Sequence, residues 1–78
     1  MKKIAEDLYQ YKGVIVRKSS LGNYIAHFYV SNTVGWCTVT GATQASFKRI
    51  FNQFVAENGG LDKPRTNEFN RRNFKEVM

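Results

Sequence analysis

The sequence predicts an α+β fold, a three-stranded antiparallel sheet packed on one long amphipathic helix, with a short N-terminal helix and a basic C-terminal tail (αβββα). Three observations carry this expectation. In TQASFKRIFNQFVAEN, Thr43 to Asn58, the residues Phe47, Ile50, Phe51, Phe54 and Val55 fall at i, i+3, i+4, i+7 and i+8 and form one apolar helical stripe. Ahead of it lie three short runs rich in β-branched and aromatic residues, separated by turn signals. From Leu61 the composition changes to LDKPRTNEFNRRNFKEVM, polar and basic and holding the chain's single proline. The 78 residues suffice for one domain, read as residues 1–60 with 61–78 as a basic tail or short helix.

Residues 2–11 read as a short helix, because Ile4, Leu8 and Tyr11 share one side at helical spacing; a helix of this length needs docking to persist. Gly13 breaks it. VIVRKSS then reads as the first strand, Leu21-Gly22-Asn23 as a turn, YIAHFYVS as the second strand, Ser31-Asn32-Thr33 as the second turn, and VGWCTVT as the third strand. Connections this short make an antiparallel meander. Asn58-Gly59-Gly60 stops the long helix. In the tail Thr66 is placed to cap a last helix, but Phe69, Phe74 and Val77 match a helical stripe poorly, so the tail is either a loosely docked helix or a mobile basic arm.

Side chains alternate along strands, which sorts each strand into two sets. Val14, Val16, Tyr24, Ala26, Phe28, Val30, Cys37 and Val39 form the more apolar set and belong under the long helix. The reverse assignment would bury Arg17 with His27, at a desolvation cost on the order of several kcal/mol. The outward face then carries Ile15, Arg17, Ile25, His27, Tyr29, Trp36, Thr38 and Thr40, with Lys18 at its edge. Rings mixed with cations on a flat sheet suit nucleic acid, since rings stack on bases and cations hold phosphate. The same face could instead be covered by the N-terminal helix, by the tail or by a second copy of the chain.

Twelve Lys and Arg against six Asp and Glu give a net charge of +6, which favours anionic partners, although solubility alone also accounts for such an excess. Cys37 is the single cysteine, so an intramolecular disulfide or a cysteine-rich zinc site is excluded, and it reads as a small strand residue in a reducing compartment. No run approaches the ~18 apolar residues of a membrane span. MKKIAEDLYQ starts like a signal peptide, but acidic and polar residues interrupt it, so the expected location is cytoplasmic with no membrane partner. His27 is the sole histidine, and alternation points it away from Cys37. Glu6, Asp7, Glu57, Asp62, Glu68 and Glu76 lie in helices or tail, and no phosphate loop, EF-hand or zinc spacing occurs. The expectation is a protein that is not an enzyme and carries no cofactor or metal.

The cadence from Tyr11 to Phe54, Y-K-G-V, then Arg17, a Gly22-x-Tyr24 turn, Trp36 in a strand and an amphipathic helix, resembles the DNA-binding domains of plant ethylene-response-factor proteins and the arm-binding domains of tyrosine integrases. That resemblance implies a sheet face laid into DNA, with Arg17, Lys18, His27 and Trp36 at the matching outward positions; Ile15 and Ser19-Ser20 stand where the plant family packs arginines. The αβββα order also resembles double-stranded-RNA-binding domains, with Lys48-Arg49 a partial echo of their basic helix entry. The chain is similar as well to short, lysine-rich bacteriophage reading frames, some of which inhibit host nucleases, toxins or defence complexes.

Three readings follow. The first is a nucleic-acid-binding module, DNA or RNA, with Arg17, Lys18, Lys48, Arg49, Lys63, Arg65, Arg71 and Arg72 on phosphates and Tyr29, Trp36 and His27 on the sheet face. The second is a phage-type inhibitor of a host protein or ribonucleoprotein, acting in the host cytoplasm. The third is a homodimer or larger homo-oligomer with a structural role.

Overall fold

The computed structural model describes residues 1–75 and has two helices on opposite faces of one five-stranded sheet. Strands β1 (Lys2–Ala5), β2 (Leu8–Tyr11), β3 (Val14–Lys18), β4 (Tyr24–Tyr29) and β5 (Trp36–Gly41) pair antiparallel in sequence order. Helix α1 (Gln44–Glu57) seals one face and helix α2 (Lys63–Asn73) lies across part of the other. The expected three-stranded sheet and short N-terminal helix are therefore both overturned. The sequence readings of Glu76 and Val77 lie outside the described residues.

The N-terminal segment is a hairpin rather than a helix because its rings are worth more in the sheet. Tyr9 and Tyr11 pair with Val16 and Val14 and so extend the inner apolar face across two more strands. Tyr11 meets Phe47 and Phe51 edge-on at 6.3 and 5.7 Å, and Tyr9 meets Tyr24 at 5.6 Å. Lys12 and Gly13 take φ values of 50° and 82°, the double left-handed conformation of a two-residue hairpin turn, which turns β2 back into β3. Asp7 turns β1 into β2 at φ 57°, and its carbonyl accepts from the Lys18 amide at 2.8 Å.

Helix α1 begins where Thr43 and Ser46 form a reciprocal capping box, Thr43 Oγ1 accepting from the Ser46 amide at 3.1 Å and Ser46 Oγ from the Thr43 amide at 3.0 Å. It ends at Asn58, followed by Gly59 and Gly60 with positive φ. Phe47 and Phe51 are fully buried against Val14, Val16, Ala26, Phe28 and Val39, while Phe54 and Val55 pack at the margin of this core. Ile50, on the expected apolar stripe, is instead exposed. The inner set read from alternation forms the observed core, with Cys37 at its margin, and the second set faces α2, where Ile15 and Tyr29 are buried rather than open.

The tail is an ordered helix. Asp62, not Thr66, caps α2, its Oδ1 accepting from the Arg65 amide at 3.0 Å, with Pro64 in the first turn. Two bonds tie α2 to the end of β4: the Asp62 amide donates to the Tyr29 carbonyl at 2.9 Å, and the Tyr29 amide donates to Thr66 Oγ1 at 3.1 Å. Asn70 Nδ2 donates to the Gly13 carbonyl at 3.4 Å, and Thr66 and Asn70 are both fully buried. Replacing Thr66 with valine keeps the volume and strands the buried Tyr29 amide, so a fall of about 1–3 kcal/mol in unfolding free energy is expected from urea titration.

Candidate nucleic-acid interface

Helix α2 crosses the face that alternation left outward, so the open platform expected there is partly covered. Tyr29 is 7% exposed and sits beneath α2, whereas Trp36 keeps 44% of its surface in solvent. Phe69 from α2 joins the sheet rings. The Trp36 indole stacks on the His27 imidazole, centroids 5.2 Å apart and planes 6° from parallel. Phe69 lies 5.2 Å from Trp36 and 5.1 Å from His27, and Tyr29 meets Trp36 edge-on at 5.2 Å. Thr38, directly opposite His27 on β5, holds its Nδ1 at 2.9 Å and fixes the ring's orientation.

Two clefts of about 260 Å³ each flank Phe69. The first is framed by Ile15, Arg17, Ile25, His27, Thr38 and Phe74 together with Phe69, so that the Arg17 guanidinium sits beside an apolar floor. The second lies between Trp36 and the arginines of α2, Arg65 and Arg72. Arg65 stacks over the Tyr29 ring at 4.6 Å, and Arg72 is bonded to Glu68 at 2.8 Å. Within α2, Lys63, Arg65, Arg71 and Arg72 stand against Glu68 alone, four cations to one carboxylate. Asp62 is occupied at the helix start, capping α2 and lying 4.0 Å from Arg65.

The expected site residues therefore divide between two faces. Arg17, His27, Tyr29, Trp36, Arg65 and Arg72 come together around Phe69, and Arg71 is exposed on the same helix. Lys18, expected at the edge of this face, lies on the α1 side, its Nζ 5.7 Å from the Tyr24 ring. Its side chain alternates with Arg17, so the sheet itself places it there. Lys48 and Arg49 belong to α1 on the far layer; Lys48 lies over Tyr11, and its side chain beside the Met1 amine, together with desolvation, lowers the pKa of that amine. Lys63 lines a third, larger groove of about 560 Å³ with Lys12, Phe51, Val55 and Leu61, away from the rings.

Sequence reasoning missed Phe69, Phe74, Thr66 and Asn70. The inward stripe of α2 is Thr66, Phe69 and Asn70 at i, i+3 and i+4; its two buried members, Thr66 and Asn70, are polar and Phe69 is only partly covered, so hydrophobic periodicity passed over it. The legible signal was Asp62-x-Pro64, a helix start.

His27 and Cys37 lie on opposite faces, since His27 is on the α2 side while Cys37 packs against the core under α1. Among the described residues no three His, Cys, Asp or Glu side chains gather as metal ligands would, and no helix is long and apolar enough to cross a membrane. Comparison with models of protein families, with curated proteins and with solved structures finds no match.

Proposed function

We propose that the chain is a non-catalytic nucleic-acid-binding protein that takes unpaired bases on the Trp36–His27–Phe69 ring cluster and phosphates on Arg17, Arg65, Arg71 and Arg72. The observation that carries this reading is a half-exposed indole, fixed by stacking on His27 and sharing a cleft with two arginines. Base-on-ring stacking tolerates any sequence, and guanidinium groups beside the ring supply the phosphate contacts. The net charge of +6 supports the same partner through long-range attraction. Single strands are favoured over duplex because α2 lies across the outer face and obstructs the flat entry into a major groove that bare three-stranded sheets use.

Titration of labelled single-stranded and duplex oligonucleotides against salt tests this. Four phosphates neutralised on a single strand give a log–log slope of about −3 and roughly 50-fold weaker binding between 50 and 200 mM salt. Undetectable binding, or binding indifferent to salt, ends the reading.

A second reading, a protein partner, is favoured by the apolar groove of Phe51, Val55 and Leu61 flanked by Lys12 and Lys63. It predicts a complex that survives nuclease treatment and is lost in Val55→Glu while oligonucleotide binding persists.

A further inference from the structure

The two edges of the sheet are built differently. Strand β1 is four residues long, carries Lys2 and Lys3, and has an irregular register between Lys3 and Ala5. Charge, brevity and a bulge are the devices by which sheets discourage pairing with another chain. Strand β5, Trp36–Gly41, has none of them: it is six residues long, keeps an unbroken register with β4, and contains no charge and no proline. Its residues Trp36, Thr38 and Thr40 are exposed, and α2 packs over β3 and β4 rather than over the β5 backbone.

The backbone groups on this edge can be identified. The Tyr29 amide and carbonyl are both taken by α2, through Thr66 Oγ1 and the Asp62 amide. Tyr29 and its partner Trp36 are therefore a non-hydrogen-bonded pair, and the Val30 amide to Gly35 carbonyl bond at 3.0 Å agrees with that phase. Alternation then aims the amide and carbonyl of Trp36, Thr38 and Thr40 at the free edge. This row is self-complementary. A second β5 running antiparallel, with Thr38 opposite Thr38, sets Trp36 opposite Thr40 in both directions. Every pair so formed can exchange two backbone bonds. The same register brings Cys37 opposite Val39 on the α1 side and the indole beside a threonine on the other, so side chains match as the backbone does.

We propose that β5 is a dimerisation edge, pairing antiparallel with β5 of a second copy in a register centred on Thr38 and continuing the sheet across the two chains. This does not depend on nucleic-acid binding. Sedimentation of the full chain, free of nucleic acid, is expected to give twice the 9.0 kDa chain mass. Thr38→Pro removes an edge amide that takes no part in the β4 ladder, a substitution edge strands tolerate, and is expected to yield a monomer with unchanged far-ultraviolet dichroism. Should that variant fail to fold, Thr38→Cys in a Cys37→Ala background provides a second test. Opposed residues of a hydrogen-bonded pair lie about 5.5 Å apart at Cα, within disulfide reach, so oxidised glutathione should crosslink the two copies at this position. A monomeric wild type, or a dimer that neither loses mass with Thr38→Pro nor crosslinks through Thr38→Cys, overturns the proposal.

Discussion

Gly41→Ala is expected to remove at least about 3 kcal/mol of stability, the upper part of the overpacking range and a large share of the roughly 4–12 kcal/mol that a chain of this size has in total. Gly41 ends β5 where α1 passes closest to the sheet. A Cβ there would lie 2.5 Å from both the amide nitrogen and the Cα of Phe47 and 2.7 Å from its Cβ. These are backbone atoms of the helix that carries the core, so no side-chain rotation relieves the clash. The helix must lift, and with it Phe47 and Phe51, which close the core over Phe28. Gly41 has no positive φ, so the penalty is steric alone. Gly35→Ala is the control: it adds a Cβ into open space but at φ 81°, for a loss of about 1–2 kcal/mol. Urea unfolding of both variants at unchanged m-value measures the difference, and equal losses would mean that α1 does not rest on Gly41.

The same contact explains why α1 was the most legible element. Its Thr43 start and its Asn58-Gly59-Gly60 stop are local and are found where the residues place them, and of its stripe Phe47, Phe51, Phe54 and Val55 meet the core while Ile50 is exposed. The face assignment was legible for a similar reason, because a two-residue period together with the cost of burying Arg17 leaves one choice. The N-terminal hairpin was not. Ile4, Leu8 and Tyr11 satisfy a helical period while Tyr9 and Tyr11 satisfy a strand period, and ten residues cannot decide between them locally. The decision is tertiary: β3 offers Val14 and Val16 as partners, and Lys12-Gly13 supplies the turn. A lysine is an unusual first residue for that turn, which hid the hairpin. For α2 the difficulty was opposite in kind, since its buried contacts are hydrogen bonds, Thr66 accepting from the β4 amide of Tyr29 and Asn70 donating to the β2–β3 turn, and a polar stripe leaves no hydrophobic trace. With the tail readable either as a docked helix or as a mobile arm, Tyr29 reads as an exposed stacking ring, when it is a buried support for Arg65 and Trp36.

The largest expected effect on binding is that of Trp36→Ala, and its value lies in which parameter it moves. Loss of one base-on-ring stack is worth about 1–3 kcal/mol, or roughly 5- to 150-fold in affinity. Because the indole is already half in solvent, its removal leaves the core under α1 intact and strips His27, Phe69 and Tyr29 of one ring contact each, at about 0.5–1.5 kcal/mol per pair. No cation is lost, so the salt slope should stay as in the wild type. Arg65→Gln removes a phosphate contact instead and should flatten the slope by about 0.7 with a smaller change in affinity at high salt. Glu68→Gln separates the two further. Glu68 holds Arg72 at 2.8 Å in the cleft beside Trp36, so neutralising it frees a guanidinium and removes an anion from the path of the phosphates. Tighter binding is expected. Fluorescence anisotropy across a salt series reads all three variants. If Trp36→Ala changed the slope, or if Glu68→Gln weakened binding, then strands would not be held by rings and arginines at this cleft.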